Sequence, residues 1–316
     1  MYLEYFGLSK PPFRITPDTH VFFEGSDRGP ILNALIFAIQ NGEGIIKVVG
    51  EVGTGKTMLC RMLPTKFDTN IDWVYLAHPS LSPDQILQEV ARELGLKIGH
   101  YPDKLLVMRQ LQEALLQRYA NNRRVVVLVE EAQEMPLATL EELRLLSNLE
   151  TDEHKLLQIV LFGQPELDEN LAARKIRQLR ERITHSLYLA PLGLGDIHAY
   201  LNFRIRASGY RGPDLFSRKV AAAIEKYSHG LIRRINILAD KALLTAYAQG
   251  SYDLTVQDIK VAAEDSQYTP RKRRWPWSEA MAIVLVGCAL YAAFDPLDSA
   301  SLHAPQQIAE TIFYEH

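Results

Sequence analysis

A short segment in the first quarter of the chain combines glycines with a lysine and a threonine at a spacing that suits phosphate binding. Residues 50–57 match the pattern GxxxxGK[ST] and lie between a strand-like run at 45–49 and a helical pattern at 56–63. The glycines let backbone N–H groups converge on phosphate oxygens, and the helix N-terminus adds positive potential. A plain glycine-rich turn is the alternative. We expect the nucleotide-binding residues to be Gly50, Glu51, Val52, Gly53, Thr54, Gly55, Lys56, Thr57 and Met58.

A phosphate-binding loop of this kind needs two further chemical features, a cation at the phosphates and a metal shell. Lys56 is expected to reach the β- and γ-phosphates of ATP, and the Thr57 hydroxyl is expected to hold Mg²⁺. Lys56 thereby has a catalytic role as well as a binding role.

A pair of adjacent glutamates supplies the expected acidic part of the same site. The apolar run at 125–129 predicts a strand buried on both faces, which delivers Glu130 and Glu131 at its carboxyl end. We assign Glu130 to the Mg²⁺ shell and Glu131 to the general base that polarises a water. The first position is ordinarily Asp, and Glu is one methylene longer, so the metal geometry and the rate of hydrolysis stay open. The alternative is a solvated acidic strand end.

The elements that must position these residues follow from the apolar pattern. Further strands are predicted at 73–76, 156–162 and 186–189, and Ser82-Pro83-Asp84-Gln85 predicts a capped helix start. Strands alternating with helices indicate an α/β fold with a doubly wound parallel sheet. From 194 to 265 the periodicity is only helical, which predicts a separate helical domain.

An apolar stretch near the C-terminal end predicts one transmembrane helix. Residues 277–294 carry one formal charge, and eighteen helical residues span roughly 27 Å, close to a ~30 Å hydrocarbon core. The basic run Arg271–Arg274 precedes it and no Lys or Arg follows, so the positive-inside rule puts residues 1–274 in the cytoplasm. A buried core helix is the alternative. The predicted organisation is a P-loop domain at 1–191, a helical lid at 192–268, a basic linker at 269–276, the span at 277–294 and a short tail at 295–316.

Composition limits the remaining possibilities. The chain has 316 residues, 35 Lys plus Arg, 38 Asp plus Glu and a net charge of −3, so outside the short basic run it is acidic. That distribution makes nucleic acid an improbable partner, because such binders spread basic charge over a face. The two cysteines, Cys60 and Cys288, exclude a disulfide scaffold. The nine histidines form no ligand pattern, so we expect no metal beyond Mg²⁺.

Several short motifs together resemble the ExeA/GspA-type AAA+ secretion ATPases over about residues 1–268. They are Tyr5-Phe6-Gly7-Leu8, Pro12-Phe13, Thr16-Pro17-Asp18, GEVGTGKT at 50–57, EEAQ at 130–133, GQPEL at 163–167 and SHGLIRRIN at 228–236. The resemblance implies an AAA+ P-loop ATPase that uses ATP and Mg²⁺ in type II secretion or in type IV (MSHA-type) pilus assembly. It also implies a homo-oligomer, partner proteins of that assembly, and a single-pass place in the bacterial inner membrane with a periplasmic tail.

The same resemblance implies roles for residues outside the P-loop. Gln164 follows the strand at 156–162, where such ATPases place a polar residue that senses the γ-phosphate; a turn residue is the alternative. Arg182 precedes the last strand, where AAA+ ATPases place an arginine finger for the neighbouring subunit, and Arg180 competes for that role. Arg233 opens a lid helix and is expected to touch the nucleotide of its own subunit. For Arg182 the alternative is surface helix charge within the basic run at 174–182, and for Arg233 it is a salt bridge on the helix surface.

Two other functions and one open question remain at this stage. The glutamate at 130 allows an oligomeric scaffold that binds nucleotide with little hydrolysis. A DNA-associated AAA+ regulator or transposition helper shares the same core, and the acidic remainder argues against it. The aromatic segment from Phe6 to Phe23 either walls the adenine ring or packs the N-terminus onto the sheet edge.

Overall fold

The structure is a computed structural model that describes residues 1–77, 80–99, 103–151 and 154–271. Residues Met1–Arg271 form one compact unit. The predicted span at 277–294, the tail at 295–316 and most of the basic linker lie outside the described residues. The proposed domain bounds stay a prediction.

A parallel sheet forms the centre of the first part of the chain, as the alternating pattern predicts. The strands pair in the order β2-β3-β4-β1-β5, and every pairing is parallel. Because the strands are parallel, each connection crosses back over a face of the sheet, and the carboxyl ends of all five strands lie at one edge. The strands are β1 Ile45–Val49, β2 Ile71–Leu76, β3 Arg124–Val129, β4 Leu157–Gly163 and β5 Ile183–Tyr188.

Helices cover both faces of this sheet and continue beyond it. β3 shows why: Val125, Val127 and Val129 pack into one apolar cluster, and Val126 and Leu128 pack into another on the opposite face. The helices are α1 Tyr2–Tyr5, α2 Arg28–Gln40, α3 Lys56–Met62, α4 Pro83–Glu93, α5 Lys104–Ala120, α6 Leu137–Leu146, α7 Glu166–Ala172, α8 Arg177–Glu181, α9 Leu194–Ala207, α10 Arg218–Ser228, α11 Ile232–Ala248 and α12 Val256–Asp265.

Helices α9 to α12 have a core of their own, and the N-terminal segment contributes to it. Phe6 and Phe13 are buried in this core, and the Phe13 ring lies edge-on to Phe216 at 5.5 Å between centroids. The Phe23 ring packs edge-on against Tyr200 at 5.4 Å. These aromatic side chains of the N-terminal segment thus pack on the helical part of the chain.

The predicted fold class needs one correction. Among the helices that the structure describes, none is both long enough and apolar enough to cross a membrane. The expected transmembrane helix at 277–294 falls outside the described residues. The observed fold is the α/β P-loop arrangement with its helical region. This finding contradicts the expected transmembrane helix and, with it, the single-pass inner-membrane location.

Candidate functional site

The loop between β1 and α3 is held in a conformation that requires glycine at two positions. Gly53 and Gly55 have φ angles of 83° and 106°, in the left-handed region that side chains disfavour. A Cβ atom at Gly53 would lie 3.0 Å from the Cβ of Arg233, and one at Gly55 would lie 3.3 Å from Ile232 Cδ1. The loop therefore packs directly against the first turn of α11.

The P-loop lysine is buried and bonded to its own loop. Lys56 Nζ donates hydrogen bonds to the carbonyl oxygens of Gly50 and Glu51, at 2.7 and 3.1 Å. Burial lowers the pKa of Lys56, and the nearby negative charge of Glu131 opposes that change. A phosphate oxygen entering the loop would compete with these two carbonyls for the ammonium group.

Glu130 and Glu131 lie at the carboxyl edge of the sheet in different environments. Glu130 is 9% exposed, and its Oε2 accepts a hydrogen bond from the Tyr75 hydroxyl. Its other oxygen, Oε1, is buried and has no hydrogen-bond partner in the described part of the chain. Glu131 adopts φ 49° and ψ 42°, a left-handed conformation that non-glycine residues seldom adopt outside tight turns and functional sites.

Two glutamine side chains hold the Glu131 carboxylate. Gln133 Nε2 and Gln164 Nε2 donate to Glu131 Oε2 at 2.8 and 3.1 Å. Partial burial alone would raise the pKa of Glu131, but these two donors and the charge of Lys56 outweigh it and lower the pKa. Glu131 is thus kept ionised, as a base that polarises water must be.

A cavity lies between the loop and the helical region. Its volume of about 320 Å³ is within the range of ~300–1,000 Å³ that is usual for small-molecule sites. Lys56, Thr57 and Glu131 all line it. The P-loop also contributes Val52, Gly53, Gly55 and Met58, the N-terminal segment Thr16, Pro17, Val21, Phe22 and Phe23, and the helical region Tyr200, Arg204, Ile232, Arg233 and Asn236. The other predicted site residues, among them Gly50, Glu51, Thr54, Glu130 and Gln164, lie outside this lining.

Gln164 follows β4, which lies between β1 and β3 in the sheet. Besides its bond to Glu131, its backbone N–H donates to Gln133 Oε1 at 3.0 Å. Gln164 thus connects the acidic pair to the strand next to the P-loop. Its role as a γ-phosphate sensor stays a prediction.

The three arginines occupy two distant places. Arg233 lines the cavity and is exposed. Arg182 stands at the start of β5, where Ile183 pairs with Ile45, so it lies at the opposite edge of the sheet from the P-loop. Its Nη1 is 3.4 Å from Ser147 Oγ, while Arg180 is exposed and makes no ion pair with the described residues. Five residues of strand span about 16 Å, so neither Arg180 nor Arg182 lies beside the P-loop of its own chain.

Three residues at this site were missed at the sequence level. Tyr75 and Gln133 bond to the acidic pair, and Arg28 on α2 is 3% exposed. Arg28 Nη2 donates to Thr54 O at 3.0 Å and to Ala190 O at 3.1 Å. Gln133 was visible within the EEAQ motif, two residues after Glu131. Tyr75 and Arg28 carry no such local signal, because their partners are far away in the chain.

The residues present suit a nucleoside triphosphate with Mg²⁺. The unpartnered Glu130 Oε1 is a buried anionic oxygen that a divalent cation would satisfy. Among the described residues there is no group of three or more His, Cys, Asp or Glu side chains that could hold a metal ion.

The sheet order, the loop after β1 and the acidic pair after β3 are similar to those of AAA-type P-loop ATPases. Residues 39–171 match the family described as AAA domain. In overall sequence the chain is similar to general secretion pathway protein A of Aeromonas hydrophila, with 38% identity over 292 residues. That match covers 92% of this chain and 53% of the relative, so the chain spans about half the length of the relative.

Solved structures agree with this fold. Cdc6p from Pyrobaculum aerophilum superimposes with a TM-score of 0.62 at 16% identity, over 80% of this chain and 70% of its own. The ADP form of the Aeropyrum pernix ORC2 protein gives 0.60 at 17% identity, over 90% and 79% of the two chains. At these identities the likeness concerns the fold alone.

Proposed function

We propose that this chain binds ATP with Mg²⁺ in the cavity between the P-loop and the helical region, and that it hydrolyses the γ-phosphate. The observation that carries the proposal is that Lys56, Thr57 and Glu131 line one cavity. A cation, a hydroxyl and an ionised carboxylate facing the same space are what phosphoryl transfer to water requires.

Each side chain then has a defined task. Lys56 exchanges its two loop carbonyls for phosphate oxygens, and the loop N–H groups of 53–57 orient the phosphates. Thr57 and Glu130 would hold Mg²⁺, which when bound neutralises charge on the β- and γ-phosphates. Glu131 accepts a proton from the attacking water, and Gln164 fixes the carboxylate that does so.

The proposed working state is a homo-oligomer. Arg182 lies at the sheet edge opposite its own P-loop, so a neighbouring subunit is the place where it can meet a γ-phosphate. Arg233 would contact the nucleotide of its own chain, because it lines the same cavity as Lys56. The finger and lid roles of these two arginines rest on the AAA+ resemblance.

The proposed setting is envelope assembly, either type II secretion or type IV pilus biogenesis, with proteins of that machinery as partners. The similarity to general secretion pathway protein A supports it. Within this group the sequence motifs also resemble MshM, the ATPase of MSHA pilus clusters, so pilus assembly is one system to test. Pilin and secretin genes beside this gene would support the proposal, and polysaccharide genes would redirect it.

The direct test is phosphate release by the full chain. Wild type should hydrolyse ATP in a Mg²⁺-dependent way, and Lys56→Ala should abolish turnover because the phosphates lose their cation. Lys260→Ala, at an exposed position on α12, is the matched control and should behave as wild type. Equal turnover in Lys56→Ala and wild type would refute the assigned site.

A nucleotide-dependent scaffold is the second candidate, and the glutamate at position 130 favours it. A longer acid at the metal position is compatible with nucleotide binding and slow chemistry. Glu131→Gln separates the two candidates. For an ATPase, this variant should bind ATP but turn over far more slowly than wild type. If both proteins bind ATP and release phosphate equally slowly, the scaffold is the correct description.

A further inference from the structure

The hydroxyl of Tyr75 and the carboxylate of Glu130 form a partly buried pair that joins two strands. Tyr75 lies on β2, and the backbone N–H of Glu130 donates to Leu76 O at 3.1 Å. The Tyr75 hydroxyl donates to Glu130 Oε2. Both the backbone and one oxygen of Glu130 are therefore held by the edge strand β2.

This pair is on the face of the sheet that carries the P-loop helix. Along β3 the side chains alternate between faces, and Glu130 follows the register of Val126 and Leu128, which pack with α3. The pKa of the Cys60 thiol on α3 is raised by burial and further by the negative charge of Glu130. Thr57, the other residue expected to hold the cation, lies one turn earlier on the same helix.

The two oxygens of the Glu130 carboxylate differ in their hydrogen bonding. Oε2 is satisfied by Tyr75, whereas Oε1 is buried without a partner among the residues described. Leaving a buried anionic oxygen unsatisfied is costly, and such an atom is a natural ligand for a cation.

We propose that Tyr75 is a positioning residue, which holds one oxygen of Glu130 so that the other is presented to a divalent cation as an aspartate oxygen would be. The inference rests on the proposed function, since the cation is the one bound with ATP. Glutamate has one more rotatable bond than aspartate, and a side chain free to turn would lose order on binding. The phenol removes that freedom.

The role of Tyr75 should depend on the length of the acid. In a Glu130→Asp variant the carboxylate is one methylene shorter and no longer extends to the phenol as it does in wild type. Loss of the phenol should then have no effect on the metal. A purely structural role for Tyr75 would instead weaken the protein in both backgrounds.

The test uses the full chain and fluorescent mant-ATP. Binding is measured in EDTA and as a function of Mg²⁺ for wild type, Tyr75→Phe, Glu130→Asp and the double variant. Tyr75→Phe should raise the Mg²⁺ concentration at half-saturation about 10-fold, the usual effect of removing an outer-shell partner. Its affinity for mant-ATP in EDTA should be unchanged. Tyr119→Phe is the matched control. Tyr119 lies on α5, which packs on the opposite face of the sheet, and its hydroxyl is 3.0 Å from His154 Nδ1.

The outcomes separate the two proposals. If Tyr75→Phe needs no more Mg²⁺ than wild type, or loses affinity equally in EDTA, the positioning role is overturned and the ATP site is untouched. If wild type shows no Mg²⁺-dependent binding, the proposed function fails and the inference fails with it. Should Tyr75→Phe not fold, the double variant decides: it must fold and match Glu130→Asp in its Mg²⁺ requirement, and a higher requirement overturns the inference.

Discussion

The backbone N–H of Arg233 donates a hydrogen bond of 3.2 Å to the carbonyl oxygen of Gly53. The first N–H groups of a helix have no partner within the helix, and the N-cap residue of α11, Leu231, supplies no side-chain cap. A P-loop carbonyl therefore caps the first turn of a helix that begins about 180 residues later in the chain. A change of loop conformation on phosphate binding would therefore alter the hydrogen bonding of the first turn of α11.

We predict that Gly53→Ala loosens the first turn of α11. The substitution costs about 1–2 kcal/mol from its left-handed φ, and its Cβ would in addition lie 3.0 Å from Arg233 Cβ. Amide hydrogen exchange at 232–236 should therefore become faster. Gly42→Ala is the control, because Gly42 has φ 78° with no atom within 4 Å of an added Cβ. Equal exchange in both variants would contradict a direct loop–helix coupling.

A second prediction concerns the pH dependence of turnover. The donors Gln133 and Gln164 stabilise the ionised form of Glu131, so its pKa in the folded protein lies below the ordinary value of 4.5. The stabilisation they give is present above pH 4.5 and is lost as the pH falls through the lower folded pKa. Gln164→Ala should move the acidic limb of the rate profile to higher pH. Gln117→Ala, at an exposed position on α5, is the control and should leave the pH profile unchanged. An unchanged profile for Gln164→Ala would show that Glu131 is not the base.

The third prediction tests the arginine finger in trans. Lys56→Ala and Arg182→Ala proteins should each be inactive alone. When they are mixed, a subunit with an intact P-loop can receive Arg182 from its neighbour, so phosphate release should partly return. The same mixing with Arg180→Ala in place of Arg182→Ala distinguishes the two candidates, because only the true finger variant is inactive by itself. No recovery in any mixture would argue against a shared site.

Much of the sheet and the loop was predictable from local sequence. Runs such as 125–129 are continuous and apolar because central parallel strands are covered on both faces, and the structure has β3 there. The edge strand β5 was located less well. It starts at Ile183, three residues before the predicted 186, because its burial alternates along the strand and leaves no continuous apolar run.

The hydrogen-bond partners of the candidate site residues were less predictable than those residues themselves. Tyr75 and Glu130 are 55 positions apart, and Arg28 is 162 positions from Ala190, so their pairing depends on strand order and register. Neither the strand order nor the register can be derived from a single sequence. Gln133 and Glu131 are close in sequence, but their contact depends on the left-handed turn at Glu131, which a glutamate does not signal.

The fourth prediction uses a local signal that the structure confirms. Ser82 Oγ accepts from Gln85 N at 3.3 Å and Gln85 Oε1 accepts from Ser82 N at 2.8 Å, the capping box predicted for α4. Ser82→Ala should lower the free energy of unfolding by about 1 kcal/mol, measured by urea denaturation, because one N-terminal N–H loses its acceptor. Ser80→Ala is the control, since Ser80 is exposed in the same connection and makes no hydrogen bond with the described residues. Nucleotide affinity should be unchanged in both variants, because α4 packs on the face of the sheet opposite α3. Equal free energies of unfolding for the two variants would show that the cap does not stabilise the protein.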